Sequence, residues 1–205
     1  MDEEAKKIES GLKQNASKVA VVIEFITEFV KIAVISAAII LPIRFFVIQP
    51  FYVKGPSMEP NFYENEYLII DELSYHLRAP ARGEVVVFRF PDEQHHYLIK
   101  RIIGLPGDSI AIRGNTITVK NKDNPNGLVL NEAPYGPKQV DDNREINVSL
   151  SANQYYVLGD NRPVSYDSEK FGPINADAIV GRVALRGLPL DRITLFSTPS
   201  FGSNN

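Results

Sequence analysis

Two segments of the sequence contain residues that could together carry out acyl transfer. The segment FYVKGPSMEP contains Ser57, on a turn that Gly55 and Pro56 constrain. The segment YLIKRIIGLPGD contains Lys100, inside an otherwise apolar run that is typical of a β-strand. Taken singly, a serine of this kind is typical of a linker, and such a lysine is typical of a solubilising charge at a sheet edge.

A lysine amine can activate a serine hydroxyl only after it loses its proton. An ordinary lysine has a pKa of about 10.4, so only about one amine in 2,500 is neutral at pH 7. Burial in an apolar wall lowers that pKa, and 2–3 units correspond to roughly 3–4 kcal/mol. In a strand, Leu98 and Ile102 share the face of Lys100, and Ile99 and Ile103 flank it. These neighbours are the ones that such a wall would need, so the pKa of this amine would be lowered if the strand is buried.

A third segment, GDNRPVSYDSEKFG, contains several acidic and hydroxyl side chains close together in sequence. Taken by itself, such a polar segment is typical of a solvated turn. A fourth, RGEVVVF at 82–88, predicts a turn that leads into a strand and has a structural role. The polar residues of the third segment that could serve a site are Asp160, Asn161, Arg162, Ser165, Asp167 and Ser168.

Taken in this order, these segments resemble a known family. The Ser-Met pair in PSMEP, the KRIIGLPGD block and GDNR-x-x-S-x-DS are similar to the type I signal peptidases, membrane-bound Ser–Lys endopeptidases of peptidase family S26. The resemblance runs from Phe45 to Gly187. It implies a serine endopeptidase that needs no cofactor and removes N-terminal signal peptides from exported preproteins after small residues, in the A-x-A pattern.

The resemblance also implies roles for individual residues. Ser57 corresponds to the nucleophile, Lys100 to the general base, and Ser165 to the hydroxyl that orients the lysine amine. Gly55 and Ser57 mark the oxyanion region. The other matching positions shape the site, and Asp167 is its buried acid; these positions are Met58, Asp160, Asn161, Arg162, Asp167 and Ser168.

The sequence departs from the family pattern at two places. The family often has a serine where this chain has Gly55, although one branch also uses glycine there. We therefore expect the Ser57 backbone N–H to be one oxyanion donor and another backbone N–H or a water to be the second. In addition, the chain reads DSEK where DSR is common, so Asp167 is expected either to pair with Arg162 or to stay in a looser arrangement. The expected consequence is structural and spares catalysis.

The part of the chain after residue 48 is predicted to be mainly β, folded as antiparallel sheets in a signal-peptidase-like catalytic domain. Ile110, Ile112, Ile117 and Val119 alternate around Gly114–Asn115, which predicts a tight hairpin. Other short β-branched and aromatic runs predict strands over Tyr67–Ile70, Val85–Phe90, Tyr97–Ile103, Tyr155–Leu158 and Ile179–Leu185.

A single N-terminal transmembrane helix is predicted over 25–48. The segment between Lys31 and Arg44 has no charged residue, and with its flanks it reaches the length of about 20 residues that a bilayer requires. A soluble core helix and a cleavable secretory signal are the alternatives. Lysines are concentrated before the span, which predicts a cytoplasmic N-terminus. The predicted domains are a cytoplasmic tail 1–24, the helix 25–48, an extracytoplasmic catalytic domain 49–198 and a C-terminal tail 199–205.

The predicted location is the plasma membrane, with the thylakoid membrane as an alternative, and the partners are preproteins and lipid. The 205-residue chain has a formal net charge of −3, which argues against nucleic acid as a partner. It has no cysteine, so disulfides and thiolate sites are excluded. His95 and His96 adjoin Asp92 and Glu93, but neighbouring histidines in an extended turn point in opposite directions, so no metal is expected.

Two other functions could use parts of this sequence. Self-cleaving repressors share the Ser–Lys pair, but they carry an N-terminal DNA-binding domain where this chain has an apolar segment. A membrane-anchored, non-catalytic β-domain that binds peptides is the alternative from another class. Cleavage that depends on Ser57 and Lys100 discriminates the enzyme from the binding domain.

Overall fold

The computed structural model divides the chain into two compact units, Met1–Phe45 and Phe46–Asn205. The predicted boundaries at residues 24, 48 and 198 stay predictions. Residues 91–95 lie outside the described structure, and they include Asp92, Glu93 and His95 of the cluster that was considered for metal binding. The structure describes residues 21–40, 48–90, 96–140 and 143–198.

The first unit contains helix α1, which covers residues 21–40. This segment has no glycine or proline to interrupt a helix, and Lys31 pairs with Glu28 at 2.7 Å one turn away. Over the described ranges, no helix combines the length and the apolar character that a bilayer crossing requires. Residues 41–47 of the predicted span, and the lysines before residue 21 that predict its orientation, lie outside the described structure.

The second unit is mainly β, and all of its strand pairs between named strands are antiparallel, as predicted. Its larger sheet has the strand order β1-β2-β11-β3-β4-β9-β10, and β12 pairs with β11. The strands of this sheet are β1 Ile48–Tyr52, β2 Tyr67–Asp71, β3 Val85–Arg89, β4 Tyr97–Gly104, β9 Gln154–Leu158, β10 Ile174–Asn175, β11 Ile179–Leu188 and β12 Thr194–Leu195.

The smaller sheet has the order β7-β6-β5-β8 and contains the predicted hairpin. Its strands β5 and β6 turn at Gly114, whose φ of 55° is in the left-handed region that glycine favours. The strand β8 was not predicted, although its Ile146 and Val148 alternate in the same way as the hairpin isoleucines. The strands are β5 Ser109–Arg113, β6 Thr116–Lys120, β7 Leu128–Val129 and β8 Glu145–Ser149.

Among the described residues of the second unit, the helical segments are short. Two are α-helical turns, α2 Ser74–Leu77 and α3 Ser168–Phe171. The others are 3-10 turns at Arg162–Val164, Ala176–Ala178 and Leu190–Arg192.

The interior of the larger sheet determines the surroundings of β4. Strand β3 is buried at four consecutive residues, Val85–Phe88, which is the pattern of a strand covered on both faces. Strand β4 lies between β3 and β9, so it is an inner strand. Lys100 is paired in register with the fully buried Val86. The ionisable side chain of Lys100 therefore lies in the apolar interior.

The two sheets meet where β4 ends. A Cβ at Gly104 would lie 2.2 Å from Ile110 Cδ1 and 2.7 Å from Leu150 Cδ1, so this position has no room for a side chain. The inner face of the smaller sheet packs here against Ile103, Tyr156 and other residues of one apolar cluster. This contact fixes the end of β4 that lies beyond Lys100.

Candidate active site

Ser57 lies on the loop that follows β1, and Asn161 binds the backbone of this loop at two points. The Asn161 N–H donates to the Ser57 carbonyl at 2.9 Å, and Asn161 Nδ2 donates to the Pro56 carbonyl at 3.0 Å. Next to Ser57, the Met58 side chain is completely buried among apolar residues. The loop is therefore anchored on both sides of the serine.

Lys100 reaches Ser57 from the middle of β4. Its Nζ lies 2.7 Å from Ser57 Oγ and 2.8 Å from the Ile99 carbonyl oxygen. The Lys100 side chain is only 2% exposed. The two residues are 43 positions apart in sequence, and the fold brings their functional atoms into hydrogen-bonding distance.

Burial lowers the pKa of Lys100 to about 8, because the charged amine loses its hydration in the interior. The carboxylates of Asp167 and Asp160 act in the opposite direction and raise it. With a pKa of about 8, roughly one amine in ten is neutral at pH 7. The predicted lowering of this pKa therefore has the expected physical cause.

Asp160 is fully buried, and an arginine balances its charge. Arg101 Nε donates to Asp160 Oδ1 at 2.8 Å, and Arg101 Nη2 donates to Oδ2 at 2.6 Å, which is a two-point ion pair. The Arg101 guanidinium also lies 4.1 Å from the centre of the Tyr135 ring. The carboxylate is therefore held in place close to the Lys100 amine.

Asp167 binds backbone groups, and of the two expected arrangements the structure does not have the pairing with Arg162. Asp167 Oδ2 accepts a hydrogen bond from Gly159 N at 2.9 Å, and Oδ1 accepts one from Glu169 N at 3.2 Å, which caps α3. Arg162 pairs with the buried Glu132 instead and donates to the Gly159 carbonyl at 2.9 Å. Because Glu132 lies far from this loop in sequence, no local pattern identified it as the partner.

The Ser165 side chain is buried next to Ser57. Its hydroxyl has no hydrogen-bond partner among the residues that the structure describes. A Cβ placed on Gly159 would lie 2.2 Å from Ser165 Oγ and 2.5 Å from the Ser57 carbonyl oxygen. The missing side chain of Gly159 therefore leaves the space that the two serines occupy. The expected orientation of the Lys100 amine by Ser165 stays a prediction.

Ser168 and the two residues after it hold the loop around Ser165. Ser168 Oγ accepts a hydrogen bond from Val157 N at 3.0 Å, so it ties α3 to β9. Glu169 pairs with Arg144 at 3.0 Å, and Lys170 Nζ donates to the Ser165 carbonyl at 2.7 Å. The EK pair of the DSEK sequence thus makes two separate contacts.

A groove between β1 and β4 opens next to Ser57 and Lys100. Its cavity has a volume of about 150 Å³, and the rings of Phe51 and Tyr97 meet edge to face across it at 5.4 Å. A larger cavity of about 620 Å³ lies over β5, β6 and β8, and neither Ser57 nor Lys100 lines it. The small groove is therefore the cavity that is relevant to the serine and lysine pair.

Sequence reasoning missed several residues that support the site. Asn61 Nδ2 donates to Asp160 Oδ2 at 2.8 Å and to the Tyr135 carbonyl at 2.7 Å, so it joins the serine loop to the buried acid. Arg101 offered a sequence signal, because a second charge in an apolar strand requires a buried partner. Asn61 offered no such signal.

Comparison with known proteins identifies the family of this chain. Residues 26–188 match the family described as signal peptidase, peptidase S26. The chain belongs to this family. The prediction that it is a serine peptidase of the signal peptidase I type, acting on preproteins that bear signal peptides, is confirmed.

Individual relatives cover most of the chain. It is 38% identical over 183 residues to a probable signal peptidase I-2 of Synechocystis, covering 83% of this chain and 77% of the relative. It is 34% identical over 186 residues to signal peptidase IB of Staphylococcus aureus, covering 83% of this chain and 96% of the relative. A crystal structure of a signal peptidase I from Enterococcus faecalis aligns with 26% identity and a TM-score of 0.43, covering 52% of this chain and 97% of that one.

Proposed function

We propose that this signal peptidase cleaves its substrates with Ser57 as the nucleophile and Lys100 as the general base. The observation that carries the proposal is the 2.7 Å separation between Ser57 Oγ and a Lys100 amine whose pKa burial lowers to about 8. An amine with this pKa is neutral often enough at working pH to accept a proton, and it is close enough to accept it from the serine.

In the first half of the reaction, Ser57 Oγ attacks the carbonyl carbon of the scissile peptide bond while its proton moves to Lys100 Nζ. The tetrahedral intermediate then collapses, and Lys100 gives the proton to the departing amine of the mature protein. The signal peptide stays attached to Ser57 as an ester.

In the second half, water replaces the departed amine. Lys100, again neutral, takes a proton from this water as the oxygen attacks the ester carbon. When the second tetrahedral intermediate collapses, the proton returns to Ser57 Oγ, and the signal peptide leaves with a new carboxyl group, which then loses its remaining proton to water. One buried amine thus serves as base and acid in both halves.

The negative oxygen of each intermediate requires hydrogen-bond donors. The Ser57 N–H makes no hydrogen bond to any other described residue, so it is free to donate. The Gly55 N–H lies 3.3 Å from Glu64 Oε1, which is a long contact that a substrate oxygen could replace. Our assignment is that Ser57 N–H is the first donor and that a second backbone N–H or a water completes the hole.

The substrate is proposed to bind as an extended strand in the groove. Among the described strands, β1 pairs only with β2, so its other edge is open to a substrate backbone. The cavity of about 150 Å³ next to Ser57 is small, which favours short side chains near the cleaved bond. These features support cleavage after residues in the A-x-A pattern.

We further propose that residues 25–48 anchor the enzyme in the plasma membrane, or in the thylakoid membrane, with residues 1–24 in the cytoplasm. Residues 49–198 would then face the opposite side, where preproteins emerge. Two observations support the anchor: the uncharged segment between Lys31 and Arg44 and the higher number of lysines before it. The contact with lipid is part of this proposal.

The proposal predicts that Ser57→Ala and Lys100→Met each abolish cleavage of a preprotein in detergent. Removing the nucleophile or the base of such a pair costs several orders of magnitude in kcat. Gel analysis of preprotein and mature product measures the loss, and binding of the uncleaved preprotein should survive. Lys120→Met, which removes an exposed amine on β6, is the control and should keep wild-type activity. Cleavage by both site variants would instead favour a different catalytic pair.

A further inference from the structure

Lys170 makes a contact with the loop that carries Ser165, and the mechanism above does not use this contact. Its Nζ donates to the Ser165 carbonyl oxygen at 2.7 Å, from the last turn of α3. A hydrogen bond from an ammonium group is roughly twice as strong as one between neutral groups. The bond spans the bend between Ser165 and α3, and so it constrains the direction in which the Ser165 backbone leaves the site.

The residues around Ser165 are held unequally. After Ser165, the Tyr166 ring packs against Phe90 and Phe171, with ring centroids 5.9 Å and 5.5 Å apart. The preceding residues Pro163 and Val164 are exposed, so apolar packing contributes little there. Val164 N donates to the Asn161 carbonyl at 3.2 Å, which fixes the 3-10 turn before Ser165. On the other side of Ser165, the contact from Lys170 is the polar tie to its carbonyl.

The helical turn from which Lys170 extends is itself firmly held. Asp167 caps its first turn, and Ser168 Oγ accepts a hydrogen bond from Val157 N of β9. The Glu169–Arg144 ion pair, whose side chains are only 16% and 13% exposed, holds α3 at its next residue. A lysine on such a fixed turn can transmit that rigidity to the carbonyl it binds.

Small movements of Ser165 affect the site directly. Its hydroxyl and the Ser57 carbonyl oxygen lie 2.2 Å and 2.5 Å from the same point next to Gly159. The hydroxyl is buried and has no hydrogen-bond partner among the described residues. Burying a hydroxyl without a hydrogen bond costs free energy, unless a reacting group or a water binds it. Its position therefore matters to the serine and lysine pair.

We propose that Lys170 is a positioning residue for this reaction: it binds the Ser165 carbonyl and thereby keeps the Ser165 hydroxyl in place next to the Ser57 backbone. This inference rests on the proposed function of Ser57 and Lys100. Lys170 does not line the substrate groove, and its amine binds the Ser165 carbonyl oxygen and not a reacting atom. The chain thus uses the EK pair in two ways, with Glu169 fixing α3 and Lys170 fixing the loop.

A double-mutant cycle tests the inference with the full chain in detergent and a preprotein substrate. For Lys170→Met we expect kcat to fall about tenfold, which corresponds to about 1.4 kcal/mol of transition-state stabilisation. KM should change less than twofold, because the groove is untouched. Lys170→Arg, which keeps a cationic donor, should restore most of kcat. In the Ser165→Ala background, Lys170→Met should lower kcat by less than twofold, because the hydroxyl that it positions is gone.

Controls separate the possible outcomes. Lys122→Met removes an exposed amine elsewhere and should leave kcat unchanged. Wild-type kcat in Lys170→Met, or an undiminished tenfold loss in the Ser165→Ala background, would overturn the inference. If Lys170→Met does not fold, as judged by circular dichroism, Lys170→Gln takes its place in the cycle. Cleavage by Ser57→Ala would overturn the proposed function itself, whereas an inactive Ser57→Ala with a fully active Lys170→Met removes only the role of Lys170.

Discussion

At the residue scale, the reactivity of Lys100 follows from the loss of water around its amine. The side chain is 2% exposed, and its Nζ has the Ser57 hydroxyl and the Ile99 carbonyl as hydrogen-bond partners. Two oxygen neighbours replace only part of the hydration of an ammonium group, so the neutral form gains relative to the charged form. The nearby acids Asp160 and Asp167 limit the effect, because they favour the charged form.

This balance predicts the pH dependence of the reaction. Burial lowers the pKa of Lys100 from 10.5 to about 8, and only the neutral amine accepts a proton. We therefore expect kcat/KM to rise about tenfold per pH unit below pH 8 and to level off above it. Initial rates of preprotein cleavage between pH 6 and pH 10 measure the profile. Lys120→Met should keep the same profile, and a limb centred near the ordinary lysine pKa would contradict the assignment.

Gly55 raises a second question at the residue scale, the identity of the oxyanion donors. A Cβ at this position would meet no atom within 4 Å, but the φ of 77° strains any residue other than glycine. Gly55→Ala and Gly55→Ser share this strain of about 1–2 kcal/mol, so a comparison of the two isolates the serine hydroxyl.

If the hole can use an added donor, the Gly55→Ser enzyme should have a kcat at least tenfold above that of Gly55→Ala, since an oxyanion donor is worth about 3–4 kcal/mol. Single-turnover cleavage of a preprotein measures both rates. Equal rates would count against a hole next to residue 55. Melting temperatures of the two variants check that their strain is alike.

At the element scale, the site depends on the close packing of three segments: the end of β9, the loop that carries Ser57 and the loop that carries Ser165. Gly159 follows directly after β9, and the space where its side chain would lie is filled by Ser165 and by the backbone of Ser57. Backbone atoms cannot move aside as flexible side chains do. Gly159 also binds the buried acid, since its N–H donates to Asp167 Oδ2.

We predict that Gly159→Ala lowers kcat more than tenfold and also lowers the melting temperature. The added Cβ would lie 2.2 Å from Ser165 Oγ and 2.5 Å from the Ser57 carbonyl oxygen, so one of the two serines must shift. Gly187→Ala is the matched control, because its nearest contact is an ordinary 3.9 Å to the Tyr67 carbonyl oxygen. Equal activity of the two alanine variants would contradict the proposed crowding.

At the scale of the whole molecule, the proposed function requires the catalytic unit to lie on the side of the membrane where preproteins emerge. The chain has no cysteine, so single cysteines can report the side on which each segment lies. We predict that Lys122→Cys reacts with a membrane-impermeant maleimide in intact cells, whereas Ser10→Cys reacts only after the membrane is opened. Mass shifts on a gel measure the labelling, the cysteine-free parent is the control, and the reverse pattern would invert the proposed topology.

The sequence by itself determined the local structure around the site. Alternation around Gly114–Asn115 predicted the hairpin, and the apolar run around Lys100 predicted a strand; the structure has both. Such features depend on neighbours within a few residues, so local patterns contain them. The run alone left an edge position open for Lys100, and the lowered pKa was expected only once the family resemblance was added. The three motifs around Ser57, Lys100 and Ser165, in this order along the chain, were likewise sufficient to indicate the family.

Only the tertiary structure decided which distant groups meet. The Arg162 pairing with Glu132, the Asn61 contact with Asp160 and the Lys170 contact with the Ser165 carbonyl follow no local pattern. Partners for buried charges are chosen by which chain segments pack together, because an unpaired charge is costly wherever the fold encloses it. The physical reason is that the type of a buried residue determines which kind of hydrogen-bond or ion-pair partner it requires, whereas the packing of distant segments determines which residue is that partner.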